Sequence, residues 1–183
     1  MVGVVDPTKL VFVDECGTHT SLAPLYGYCP KGERLRFSVA RNRGKNTTSL
    51  LASITLEGMG PSLAVNGSTT AEVFEAYLEQ VLLPELQEGQ VVVMDSLPAH
   101  KPGRVRELIE GRGCELLYLP SYSPDYNPIE EAFSKIKEIV RRACARTREA
   151  LIEALGEALS AVSFLDVQGF FEHAGYHPTA QLP

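Results

Sequence analysis

Residues 91–95 read Val91-Val92-Val93-Met94-Asp95, four apolar side chains followed by a carboxylate. A run with no polar face predicts a strand covered on both sides, and this one delivers an acid at its C-terminal end. Downstream, Val105, Leu108 and Ile109 share one face of a helix near 102–112, and residues 115–119 (ELLYL) read as another strand. Upstream, Val73, Phe74, Tyr77, Leu78, Val81 and Leu82 repeat at helical spacing behind a capping Thr69 or Thr70. Further strands are predicted at 9–14 (KLVFVD), 22–29, 34–40, 48–56 and 62–66, with 22–29 and 34–40 joined at Pro30-Lys31-Gly32. Beyond the loop 120–126, Asn127 suits a helix N-cap and Pro128 the first helical position, ahead of the stripe Ile129, Ala132, Phe133, Ile136 and Val140. An amphipathic helix near 147–162 and a short one near 166–174 complete the chain. Antiparallel strands first, then alternating helix and strand, then helices predict an α/β fold. Its mixed central sheet carries helices on both faces.

The chain has 183 residues, 44% hydrophobic and 22% charged, the size and apolar content of one folded domain. That content excludes intrinsic disorder. No apolar run approaches the roughly 18 residues of a membrane span. The start, MVGVVDPTKL, has neither the basic residues nor the apolar length of a signal peptide. Cys16, Cys29, Cys114 and Cys144 form no CxxC pair, which predicts four reduced thiols rather than a zinc site or disulfide framework.

Net charge is −6. As an average this argues against a non-specific nucleic-acid binder. The distribution differs. Apart from Lys9, every Lys and Arg lies within 31–45, 101–112 or 135–148, and none lies in 46–100 or after 148. On charge alone these blocks are ordinary solvated positions or a basic face suited to phosphates.

Three carboxylates stand out by position. Asp14 ends an apolar run and shares a strand face with Phe12 and Cys16. Asp95 ends the run at 91–95. Burying either alone is costly, so each calls for solvent, a partner or a cation, although both also suit strand-end turns. Glu130 lies in the first turn of the helix that Asn127 begins. Its spacing from Asn127 is that of a capping box, and the helix dipole favours an acid there, so a structural role competes. Glu131 is turned about 100° away. Together, two Asp on strand ends and a Glu on a following helix suit paired divalent ions. Mg²⁺ takes oxygen ligands and combines few carboxylates with substrate phosphate. Ions about 4 Å apart stabilise both the entering and leaving oxygens of a phosphodiester. His100 and Lys101 follow Asp95, and Ser134, Lys137 and Arg141 share the helical face of Glu130.

Four segments in order resemble one known family: VFVDECG (11–17), YGYCPKGER (26–34), VVVMDSLPAHK (91–101) and LYLPSYSPDYNPIEEAFSKIK (117–137). The resemblance is to the catalytic domain of DDE transposases, in the mariner-related bacterial insertion-sequence branch. The SPD-x-NPIE element after a strand is its most specific part. The 34 residues between Asp95 and Glu130 match a separation found in that superfamily. The resemblance implies a ribonuclease-H-like fold, with 1–183 as a single catalytic domain. It implies a triad of Asp14, Asp95 and Glu130, catalytic and metal-holding, with Mg²⁺ as cofactor, Mn²⁺ as substitute and two ions per site. The implied activity is hydrolysis of DNA phosphodiesters and strand transfer during DNA transposition. The implied partner is double-stranded DNA, at element ends and target, contacted by His100, Lys101, Lys137 and Arg141. A homo-oligomer on DNA in the cytoplasm, associated with the nucleoid and not with a membrane, is expected as well. Ser96 departs from the family, which commonly has Asn there. The chain starts about where the family's catalytic domain starts. Its helix-turn-helix domains are therefore expected to be absent, and a separate N-terminal DNA-binding polypeptide becomes a candidate partner.

Two other readings compete. An inactive or truncated remnant would serve as a DNA-associated or self-associating module without needing metal, and the intact triad speaks against it. VFVDECGT is similar to the haloacid-dehalogenase strand hhhDxDGT, but Cys16 occupies the place of the second Asp. VVVMD resembles a Walker B strand, yet no GxxxxGK[ST] loop exists in the sequence.

Overall fold

Five strands, β1 (Leu10–His19), β2 (Thr47–Thr55), β3 (Gly58–Asn66), β4 (Val91–Met94) and β5 (Glu115–Tyr118), form one sheet in the order β3-β2-β1-β4-β5. The computed structural model describes residues 6–38, 47–95, 102–120 and 123–177. β1, β2 and β3 pair antiparallel, whereas β4 pairs in parallel with both β1 and β5. Among the described residues five α-helices occur, in chain order: α1 (Ala71–Tyr77), α2 (Pro102–Gly111), α3 (Pro128–Ala143), α4 (Arg148–Ser160) and α5 (Phe164–His173). α1 runs directly into a π-helical turn, Leu78–Leu82.

Strand alternation divides the core in two. Leu10, Phe12, Cys16, Leu50, Ala52, Ile54 and Val93 face Ile129, Phe133, Ile136, Leu151, Leu155, Val167 and Phe171 of α3, α4 and α5. Val11, Val13, Leu51, Val92 and Met94 face Phe74, Tyr77, Leu78, Leu82, Val105 and Ile109. The central strands are therefore apolar at successive positions because both of their faces are covered. The expected mixed sheet with helices on both faces is the observed one.

Two expected strands are absent. Residues 22–29 and 34–38 have no strand partner, and everything from Pro24 to Ser38 is exposed; residues 39 and 40 lie outside the described residues. The reason is saturation. β1 runs on to His19 and pairs with β2 from Phe12 opposite Ile54 down to His19 opposite Thr47. Tyr, Val and Phe favour strands only where a ladder and a packing surface exist. The segment 20–38 instead makes an arm that turns where expected. The Glu33 N–H donates to the Pro30 carbonyl at 3.1 Å, and Gly32 takes φ +94°. β3 begins earlier than the expected 62–66 because Gly58, Gly60 and Pro61 disguise its first half. Its register with β2 shifts between Ala52 and Ile54. Pro61, which has no N–H for a ladder, is tolerated at such an irregular edge.

Thr70 is the residue that caps α1, accepting from the Val73 N–H at 3.4 Å. All four cysteines are free thiols. Among the described residues no helix is long and apolar enough to cross a membrane.

Candidate active site

β1 and β4 pair in parallel as Leu10–Val91, Val11–Val92, Phe12–Val93 and Val13–Met94. The next residues along are Asp14 and Asp95, so two carboxylates follow side by side on strands about 4.8 Å apart. Asp14 falls between Phe12 and Cys16 on the face covered by α3. Both acids are half-buried.

Asp14 is held on both oxygens. Its Oδ1 accepts the Glu15 backbone N–H at 2.7 Å, and its Oδ2 accepts Nδ2 of Asn127 at 2.8 Å. Asn127 immediately precedes α3, so this contact brings the start of that helix, and with it Glu130, to the β1 carboxylate. Burial pushes the Asp14 carboxyl up to about 7, helped by the negative charges of Glu130 and Asp95 and opposed by the two hydrogen bonds. Burial likewise pushes the Cys16 thiol up to about 12. The Lys137 ammonium opposes that shift, whereas Asp14 and Glu130 reinforce it. Lys137 therefore lies within electrostatic reach of the same locus.

The expected capping box is not formed. Asn127 stands at the N-cap of α3 but makes no side-chain cap hydrogen bond, because its amide is committed to Asp14. Glu130 is exposed in the first turn, whereas Glu131 turns away and pairs with His173 of α5. Glu131 and Asp125 raise the His173 imidazole above its ordinary value. Glu130, Glu131, Asn127, Ser134 and His173 border one depression of about 260 Å³. Arg141 lines a larger groove of about 590 Å³ with Tyr26, Tyr28, Ser134, Glu138 and Arg142. His100 and Lys101 lie outside the described residues, as does Ser96. Sequence reasoning missed the hold of Asn127 on Asp14 and the pairing of His173 with Glu131. The NPIE element gave a signal for the first, read there as a cap; nothing local signalled the second.

Among the described residues, no three acidic, histidine or cysteine side chains stand close enough together to grip a single ion. The donor chemistry nonetheless suits hard divalent cations. A half-buried carboxylate, raised first by burial and then by two further carboxylates, is an excess of negative charge carried on oxygen.

Comparison with known proteins identifies the family and the fold. The profile described as DDE superfamily endonuclease matches residues 9–152. The Transposable element Tcb1 transposase of Caenorhabditis briggsae is 32% identical over 108 residues, covering 55% of this chain and 40% of that protein. The pre-cleavage Mos1 transpososome superposes with TM-score 0.72 at 19% identity, covering 92% of this chain and 54% of the Mos1 chain. The Mos1 transposase catalytic domain solved with raltegravir and Mg gives TM-score 0.65 at 16% identity, over 92% of this chain and 81% of that one. This chain thus spans about half or less of the full-length proteins it matches. With the profile running from β1 into α4, the chain belongs to the DDE superfamily endonucleases.

Proposed function

We propose that this chain is a transposase catalytic domain of the mariner-related bacterial insertion-sequence branch, hydrolysing DNA phosphodiesters and transferring strands with divalent cations. The observation that carries the reading is geometric: Asp14 and Asp95 follow side by side on adjacent parallel strands, and Asn127 bonds the start of the Glu130 helix to Asp14. In this reading Asp14 and Asp95 share the ions and Glu130 holds the second. Pairwise sharing needs no single point gripped by all three. Bound there, Mg²⁺ or Mn²⁺ supplies Lewis-acid activation of the nucleophile and offsets charge at the phosphodiester. Lys137 and Arg141 lie on the helical face of Glu130 and receive flanking phosphates. His100 and Lys101, close after Asp95 in sequence, join them. The similarity to Mos1, solved as a transpososome and with Mg, supports double-stranded DNA as substrate and an oligomer on paired ends.

The test is nicking of supercoiled DNA by the purified chain with Mn²⁺ or Mg²⁺. Nicking is expected, and is expected to vanish with chelator or with Asp95→Asn. Nicking that survives either treatment overturns the assignment.

A further inference from the structure

Asn127 is 5% exposed, and its amide is used in an unusual way for its position. At an N-cap the side-chain oxygen ordinarily accepts a backbone N–H from the first turn. Here that bond is absent, and Nδ2 reaches instead from α3 to Asp14 Oδ2 at 2.8 Å. The other amide atom, Oδ1, is buried and accepts no hydrogen bond. A buried carbonyl without a partner is unfavourable, and so is a forgone cap. Turning the amide toward the helix would relieve both, and would release Asp14. Local stability and the observed conformation therefore disagree, which is common where side chains are held for a task. The remaining hold on Asp14 is the adjacent Glu15 N–H on its other oxygen. That bond lies within β1 and does nothing to relate β1 to α3.

Resting on the cation-binding reading above, we infer that Asn127 is a positioning residue: its amide fixes the Asp14 carboxylate and ties its placement to that of the Glu130 helix. Outer partners that orient a metal-ligating carboxylate commonly change affinity about 10- to 100-fold when removed. The prediction separates this role from capping. Serine caps a helix about as well as asparagine does, but its hydroxyl is too short to reach Asp14 from the same backbone position.

The test measures Mn²⁺ binding to the full chain by isothermal titration calorimetry, alongside the thermal midpoint, for wild type, Asn127→Ser and Asp14→Asn. The expected result is Mn²⁺ binding by wild type that Asp14→Asn abolishes and Asn127→Ser weakens about tenfold, with the serine variant melting close to wild type. If Asn127→Ser binds Mn²⁺ as wild type does, whether or not it melts earlier, Asn127 is a structural tie and the inference is overturned while the metal site stands. If wild type binds no Mn²⁺ through Asp14, the metal reading fails and takes the inference with it. Should the serine variant not fold, Asn127→Thr, which also keeps a capping hydroxyl, is read by the same two measurements.

Discussion

Lys135 of α3 and Asp166 of α5 form an ion pair, and the same Asp166 oxygen accepts the Ser163 hydroxyl at 2.6 Å and the Ser163 N–H at 2.8 Å. The Asp166 N–H returns a bond to the Ser163 hydroxyl at 3.2 Å, completing the capping box of α5. One carboxylate thus starts α5 and fastens it to the helix that carries Glu130. The Lys135 ammonium, followed by the two Ser163 bonds, pulls the Asp166 carboxyl down to about 2. Because its folded value is depressed, its stabilisation is complete above the ordinary carboxylate range. It is lost as pH falls through about 2. Asp166→Ala is expected to lower stability by about 1–2 kcal/mol at pH 7. The gap from wild type should narrow steadily below pH 4. Urea denaturation at several pH values measures it.

Asp14 behaves in the opposite sense. Its folded value, about 7, lies above that of an unfolded Asp, so the folded metal-free protein holds a proton that the unfolded chain releases. That contribution is complete below about pH 4 and lost as pH rises through 7. Melting in chelator should therefore drop between about pH 4 and 7. Asp14→Asn should flatten the drop and stabilise the chain at pH 8 by about 1–2 kcal/mol. Adding Mn²⁺ at pH 8 should raise the melting point of wild type and not of the variant. A parallel drop in the variant would exclude Asp14 as its source.

Phe12 lies fully buried under α5, with its ring 5.5 Å from that of Phe171 in an edge arrangement and 5.0 Å from that of Tyr176. Phe12→Ala should cost about 3–5 kcal/mol by leaving a cavity at the middle of the sheet. Phe12→Leu should recover more than half of that. Equilibrium denaturation of both variants decides it.

Arg146 anchors the arm. Its guanidinium donates to the carbonyls of Thr20 at 2.9 Å and Leu22 at 3.1 Å, just where the chain leaves β1. Arg146→Ala should speed proteolytic cleavage within 24–38 several-fold and move the global melting point little, because that stretch is exposed and adds little to either core. Limited proteolysis read by mass spectrometry locates the cuts.

Lys137→Ala and Arg141→Ala should each weaken DNA binding. Each should also reduce the slope of log affinity against log salt by about one unit, the signature of one lost phosphate contact. Fluorescence anisotropy at four salt concentrations provides the slope. An unchanged slope in both would remove them from the DNA face.

Much of this was legible from the sequence because the relevant signals are local. The unbroken apolar run at 91–94 and the stripe from Ile129 to Val140 each fix an element by periodicity alone. Residues 22–29 and 34–38 mislead because strand preference is conditional on a neighbour, and β2 already takes the available edge of β1. Asn127 reads as a cap because capping is a local rule; its side-chain partner, Asp14, is 113 residues away. The pairing of Glu131 with His173 was hidden for the same reason. Nothing in either segment records that α5 packs along α3.

The four rungs from Leu10–Val91 to Val13–Met94 also bear on how such a chain can drift over generations. Insertions and deletions in the exposed stretch 24–38 alter length without disturbing any rung. Losing one codon inside Leu10–Val13 would turn every following side chain of the strand to the opposite face. The first aspartate would then be marooned on the α1 side, behind the sheet. Length is thus free to vary in the exposed arm and fixed along every strand whose faces are both covered.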